Sequence, residues 1–400
     1  MSSTRTGWPL GALSMPAMSR IDRVFALTIM VPSGIADQTR RVPGLACTSA
    51  RISAGTVVCP LDVIVDSVTL FPYFLINCKV MILNAQAIDG RLAYNTGMKL
   101  ISYRTSPGRI SVGAVNGHSV TCLDEVIASL PLDDRALDAL ALRGMSPAQP
   151  SMLRLLFSGA EGMACVQAFA DRNNAAHARL SDLHLLAPVP RPGKIVAIGR
   201  NYGEHAKETG TATFEKPRII TKMASSVVAP GAVVPIGAAT KPDFEVELAV
   251  VIGAFARAVP RARALEVVAG YTVLNDLSAR ELQFDVSPPQ TTFAKSLDGY
   301  CPMGPWLVTP DVIADPQALD LSLHLNGTLM QQANTADMIF PVDELIEYIT
   351  RFVTLEPGDV IATGTPSGVG AFRTPPLWLK AGDRLRLEVS GIGVLEHAIG

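Results

Sequence analysis

Three carboxylates in two short stretches could do metal chemistry. The first stretch is Asp243-Phe244-Glu245-Val246-Glu247-Leu248-Ala249-Val250-Val251-Ile252. In a strand, alternate residues share a face. Phe244, Val246, Leu248 and Val250 then point one way, and Glu245, Glu247, Ala249 and Val251 the other. The acidic face continues apolar, so the strand is expected to be buried on both sides. Carboxylates about 7 Å apart on it repel, and burying them unpaired costs several kcal/mol. A hard divalent cation resolves both problems, and oxygen-only ligands favour Mg2+, Mn2+ or Ca2+ over zinc. A solvated strand face would account for the two glutamates equally well. The third acid, Asp276, shifts the balance: it stands where the apolar run Val273-Leu274 breaks into Asn275-Asp276-Leu277-Ser278. Such a position suits a ligand; its plainer use is a turn or helix N-cap. If all three acids are interior, the expectation is that only a doubly charged ion lets them coexist.

A second constellation is His205 with Glu208. Three residues apart in a helical turn, they share a face. A carboxylate beside an imidazole orients the ring and supports the imidazolium, so His205 can act as a base near neutral pH. A surface helix contact is the plainer reading. Arg200 and Tyr202 follow the apolar strand 194–199 and are candidates for substrate contact, although Arg200 could equally be a structural ion pair. Gly364-Thr365-Pro366 suits a tight turn that offers backbone N–H and hydroxyl donors to an anion.

The elements that must position these groups are mostly strands. Residues 98–103 and 110–115 read as a hairpin around Pro107-Gly108. Segments 194–199, 244–252, 273–277, 321–325, 360–363 and 385–389 read as further strands. Helices are expected at 123–130, 159–180, 204–208 and 264–268. Another is expected at 342–352, with Leu345, Ile346, Ile349 and Phe352 on one side. With 29 prolines and 32 glycines the chain reads as α+β and sheet-dominated, not as a βαβ array.

Composition narrows the class. Of 400 residues, 48% are hydrophobic and 18% charged, with a net charge of −2, so there is ample core and no basic stripe for nucleic acid. No run of 18 apolar residues suggests a membrane span. The six cysteines show no metal-ligand or C-x-x-C spacing, as in a reducing compartment. A cytoplasmic protein is expected. Residues 1–97 differ in texture: five aspartates, no glutamate, eight basic residues and poor periodicity. We expect this stretch to be an atypical extension, from a start placed too far upstream, a poorly ordered tail or an organellar address. A stiff Pro-rich linker at 187–193 then separates a small α+β domain, 98–190, from a larger one, 191–400.

Five runs in order resemble the fumarylacetoacetate hydrolase family. They are Ile198-Gly199-Arg200-Asn201-Tyr202 with His205 and Glu208; Asp243-Phe244-Glu245-Val246-Glu247; and Gly270-Tyr271-Thr272 through Asn275-Asp276-Leu277-Ser278-Ala279-Arg280. Then come Lys295-Ser296-Leu297-Asp298 with Cys301-Pro302 and Gly304-Pro305-Trp306, and finally Thr363-Gly364-Thr365-Pro366-Ser367-Gly368-Val369-Gly370. The resemblance implies a mixed β-roll catalytic domain, a homodimer, and Mg2+ or Mn2+ on Glu245, Glu247 and Asp276. It makes His205 and Glu208 a water-activating pair, Lys295 a substrate-contacting lysine, Gln283 a polar residue near the metal, and Thr365 a contact to the substrate carboxylate. Leu297 stands where the family often has an aromatic. The implied substrate is a small 2-oxo or 1,3-diketo acid. The implied reaction is hydrolytic C–C cleavage through a metal-stabilised enolate, with isomerisation or decarboxylation as the alternative.

Overall fold

The computed structural model describes residues 97–173, 177–210 and 212–400, with the backbone of three short strands nearer the N-terminus. The chain divides into two compact units, Met1–Ile76 and Asn77–Gly400. In the first, Leu27–Met30, Arg51–Ser53 and Thr56–Cys59 form an antiparallel sheet with Thr56–Cys59 in the middle. The expectation for residues 1–97 otherwise lies outside the described residues. Every candidate site residue belongs to the second unit.

The main sheet of that unit begins, in order of hydrogen-bonded neighbours, with Arg218–Lys222, Ile195–Gly199, Val360–Ala362, Val246–Ile252 and Val268–Asn275. It continues with Cys301–Val308, Lys99–Ser106, Arg109–Asn116, Ser119–Cys122 and Ala178–Arg179. Along this order pairing is antiparallel except between Val360–Ala362 and Ile195–Gly199, and off it Val227–Val228 pairs parallel with Cys301–Val308, which makes the sheet mixed. Leu307 pairs with Leu100, so segments before and after residue 190 share one sheet. A second sheet runs Val233–Val234, Gly393–Ile399, Arg384–Val389, Asp320–Leu325, Thr328–Asn334.

The β-branched run Val246–Ile252 is central and wholly buried. Its alternation feeds two cores. Phe244, Val246, Leu248 and Val250 pack with Leu321, Leu323, Leu385 and Leu387 of the second sheet. Ala249 and Val251 pack with Ile127, Leu140, Leu155 and Val166 of the helices Asp124–Ser129, Asp134–Leu142, Met152–Phe157 and Gly159–Arg172. The unit is therefore layered, helices on sheet on sheet, the sheet-dominated α+β arrangement expected. Each fully buried Leu or Val side chain contributes about 2 kcal/mol.

Two local expectations need correcting. The helix expected at 159–180 stops at Arg172, where the backbone leaves helical geometry at Asn173. Phe352 is 70% exposed and leans on Tyr348 instead of joining Leu345, Ile346 and Ile349, because it is the last helical residue. One strand was not among those expected: Cys301–Val308, which carries Pro302, Gly304 and Pro305, lies inside the sheet. An irregular register against Tyr271–Val273 accommodates its prolines.

Candidate active site

The acids meet where two strands of the main sheet run out. Val246 pairs with Asn275, so Glu245 and Asp276 leave the paired region side by side. Two bonds clamp the exit: the Asp276 N–H donates to the Glu245 carbonyl at 2.9 Å, and the Glu245 N–H donates to Asn275 Oδ1 at 2.9 Å. Glu245, Glu247 and Asp276 are each at most 5% exposed, and one carboxylate oxygen from each lies within 4.8 Å of the others. The solvated-face reading is excluded.

The expectation that only a divalent ion could reconcile these acids was too narrow. Arg280 donates to Asp243 at 2.8 Å and to Glu245 at 2.7 Å. Lys295 donates to Glu245 at 2.9 Å and Asp276 at 2.7 Å, and Lys222 to Asp276 at 2.6 Å. Four buried carboxylates thus face three cations. Burial alone would raise the Glu245 carboxyl, but Lys295, Arg280 and His205 bring it to about 2. Glu247 is the exception. It accepts the Gly364 N–H at 2.9 Å and forms no ion pair among the described residues. Burial, then Asp276 and Glu245, push its carboxyl well above the usual range. A buried all-oxygen cluster with one uncompensated acid fits a hard divalent cation on Glu245, Glu247 and Asp276.

The helix Gly203–Glu208 places His205 and Glu208 on one face. His205 Nδ1 lies 3.0 Å from Glu208 Oε2, and the other oxygen of Glu208 accepts the Gly368 N–H at 3.0 Å. The turn-rich segment after Thr363 does present donors to anions, as expected, but the anions are the protein's own. Gly364 serves Glu247, Gly368 serves Glu208, and Gly370 and Ala371 serve Asp243. Gly364 has φ 101, and a side chain there would run into Asn201, so glycine is required.

A cavity of about 340 Å³ opens onto this cluster, and Arg200, His205, Glu245, Asp276, Gln283, Lys295 and Thr365 all line it. Gln283 Oε1 accepts from Arg280 at 2.8 Å. Two residues are placed differently from expectation. Tyr202 does not line the cavity: it is 1% exposed in the inter-sheet core, its hydroxyl unbonded among the described residues. Burial, then Glu247 and Asp337, raise that hydroxyl far above the usual phenol range. Thr365 lines the cavity, but its hydroxyl donates to the Val246 carbonyl and accepts from Gln331, so its hydrogen is already committed. Lys295 lines the cavity and directs its three N–H donors to Glu245, Asp276 and Ser278, which holds the acids together.

Sequence reasoning passed over Lys222, Asp243, Arg280 and Gln331 as working residues. The signal was faint but present: each is a polar side chain at a strand end or within an apolar alternation, and all are at most 3% exposed.

Comparison with known proteins identifies the family. Residues 194–400 match the family model for the fumarylacetoacetate (FAA) hydrolase C-terminal domain. Over 221 residues, 55% of this chain and 70% of the relative, the chain is 44% identical to oxaloacetate tautomerase FAHD2B, mitochondrial, of Bos taurus. Fumarylacetoacetate hydrolase from Exiguobacterium antarcticum superposes with TM-score 0.59 at 33% identity, covering 76% of this chain and 99% of that one. Maleylpyruvate hydrolase from Sphingobium sp. SYK-6, solved with manganese(II) and pyruvate, superposes with TM-score 0.57 at 29% identity, covering 76% and 98%. The chain belongs to the fumarylacetoacetate hydrolase family.

Proposed function

We propose that this chain is a divalent-metal-dependent enzyme that moves a proton at the carbon beside the keto group of a 2-oxo acid, interconverting keto and enol forms. The observation that carries this reading is His205, held by Glu208, which lines the same cavity as Glu245 and Asp276, two of three carboxylates clustered within 4.8 Å. The tautomerase relative at 44% identity supports it. A divalent ion held by Glu245, Glu247 and Asp276, Mg2+ or Mn2+ by donor type, would supply Lewis-acid stabilisation for negative charge on the keto oxygen.

The chain's own groups supply the rest. Glu208 holds the Nδ1 side of His205, which leaves Nε2 to take a proton from carbon and return it. Arg280 and Lys295 keep Glu245 ionised, as its low pKa requires. Gln283, tethered to Arg280, offers its amide N–H groups to a substrate oxygen. Phe284 and Phe372, tilted against each other with ring centroids 6.0 Å apart, present an apolar wall that sheds water from the carbanionic carbon.

A second reading uses the same pair to activate water for C–C cleavage of a 1,3-diketo acid. The hydrolase neighbour with bound pyruvate favours it. Two assays on the full chain separate them: decay of the enol absorbance of oxaloacetate, and release of acetate and pyruvate from 2,4-dioxopentanoate, each with Mg2+ and with chelator. Metal-dependent decay without cleavage supports tautomerisation, and cleavage supports hydrolysis. A metal-loaded protein inert in both sinks the enzymatic reading.

A further inference from the structure

Two polar side chains stand on the core-facing side of the second sheet, and the proton transfer above makes no use of either. Gln331 is 1% exposed and lies opposite Leu323 in register. His397 is 4% exposed and lies between Leu395 and Ile399 on the inward face of its strand. Neither lines the cavity. Polar groups in such positions are unfavourable unless they are bonded. What they hold, directly or through one residue, is the backbone that carries Glu245 and Glu247.

The pairing of Val246–Ile252 with Val360–Ala362 ends at Ala249, so on that side Val246 is left to side chains. Gln331 Oε1 accepts the Val246 N–H at 3.0 Å, and its amide donates at 2.9 Å to Thr365 Oγ1 and to the Pro366 carbonyl. Thr365 in turn donates to the Val246 carbonyl at 2.9 Å. On the other side, Asn275 Oδ1 accepts the Glu245 N–H at 2.9 Å. That commitment obliges Asn275 Nδ2 to donate, so His397 Nε2, 2.8 Å away, must accept. With the Asp276 N–H on the Glu245 carbonyl, both peptide groups of residues 245 and 246 are held on every polar atom.

We propose that Gln331 and His397 are positioning residues that fix the separation of Glu245 and Glu247, and so make the acidic cluster select a small divalent ion, Mg2+ or Mn2+, over Ca2+. This deepens the reading of the cluster as a metal site and rests on it. Small divalent ions need near-ideal oxygen geometry, whereas Ca2+ accepts longer and more variable distances. A stretch of backbone with no freedom favours the first; a loosened one removes that advantage and changes little for the second.

Calorimetry with Mn2+ and with Ca2+ on the full chain, alongside the urea unfolding midpoint, tests this. The wild type should bind Mn2+ about 10-fold more tightly than Ca2+ or better. Gln331→Met and His397→Leu should each weaken Mn2+ by about 10-fold and Ca2+ by less than about 3-fold, since partners behind a metal ligand contribute on this scale. His397→Gln, whose amide oxygen still accepts from Asn275, should keep the wild-type ratio within about 2-fold. Parity of the two ions in the wild type would overturn the proposal. So would equal losses for both ions in the variants, or an unfolding midpoint that moves while the ratio stands, because either would confine these groups to the fold. A wild type that binds neither ion would overturn the metal reading itself.

Discussion

At one end of the cavity, Glu245, Asp276, Arg280 and Lys295 are each at most 5% exposed and bonded to one another. Elsewhere on its lining, Arg218 is exposed and Phe284 is 51% exposed. The acidic end is over-determined: Glu245 alone is held by Arg280, Lys295, the Asn275 side chain and the Asp276 N–H. Charges taken out of water survive only when every partner is in place, so this end tolerates little change. The exposed part of the lining keeps contact with solvent and can vary at low cost. The difference separates a charge-balanced, buried part of the cavity from an open one.

The sharpest way to break that comparison is at His205. His205→Gln should lower kcat by about 10²- to 10⁴-fold while leaving Mn2+ affinity, measured by calorimetry, nearly intact. A variant that keeps its rate would remove the proton carrier from the acidic end. Next in size is Asp243→Asn, which leaves Arg280 with one anionic partner and weakens the acceptor for Gly370 and Ala371. A broken buried pair costs about 3–5 kcal/mol, readable as a shift of the urea unfolding midpoint. A loss below about 1 kcal/mol would show that this end is less tightly determined than its bonding indicates.

His397 gives the comparison a pH dependence. Its Nε2 lies 2.8 Å from Asn275 Nδ2, the same side chain that holds the Glu245 N–H, and burial lowers its pKa to about 4. The folded pKa is below the unfolded value of about 6.5, so above that pH neither state carries the proton. As pH falls below it, only the unfolded state takes up the proton, and stability drops until both are protonated near pH 4. Between pH 6.5 and 5 the loss should be about 2 kcal/mol. Urea titrations of wild type and His397→Gln at both pH values should show the loss only in the wild type, and parallel losses would exclude His397 as its source. The smallest effect belongs to the open end: Phe284→Ala should change stability by less than about 1 kcal/mol. A larger loss in the same titration would mean that this wall supports the fold and does not merely shape the cavity.

Much of the site was legible in the residues themselves. Alternation along 244–252 placed Glu245 and Glu247 on one face and foretold two buried sides, because side-chain direction in a strand has a fixed period of two. The i, i+3 spacing put His205 against Glu208 for a similar reason. Such rules are local, and local geometry follows from sequence spacing. Lys222, Asp243 and Arg280 carry no such mark, since what they neutralise lies as many as 54 residues away. Thr365 and Lys295 were identified, but their donors were assigned outward when the fold turns them inward. Tyr202 was placed at the substrate and stands in the core. Cys301–Val308 was hidden by its prolines, because whether a proline breaks a strand depends on which neighbour needs the missing N–H.

The sequence by itself determined which side chains could act as ligands and base, and which face of each element they would occupy. Only the tertiary structure decided which charge compensates which. Electrostatic energy in a low-dielectric interior depends on separations of a few ångströms between distant segments, and no local pattern encodes those separations.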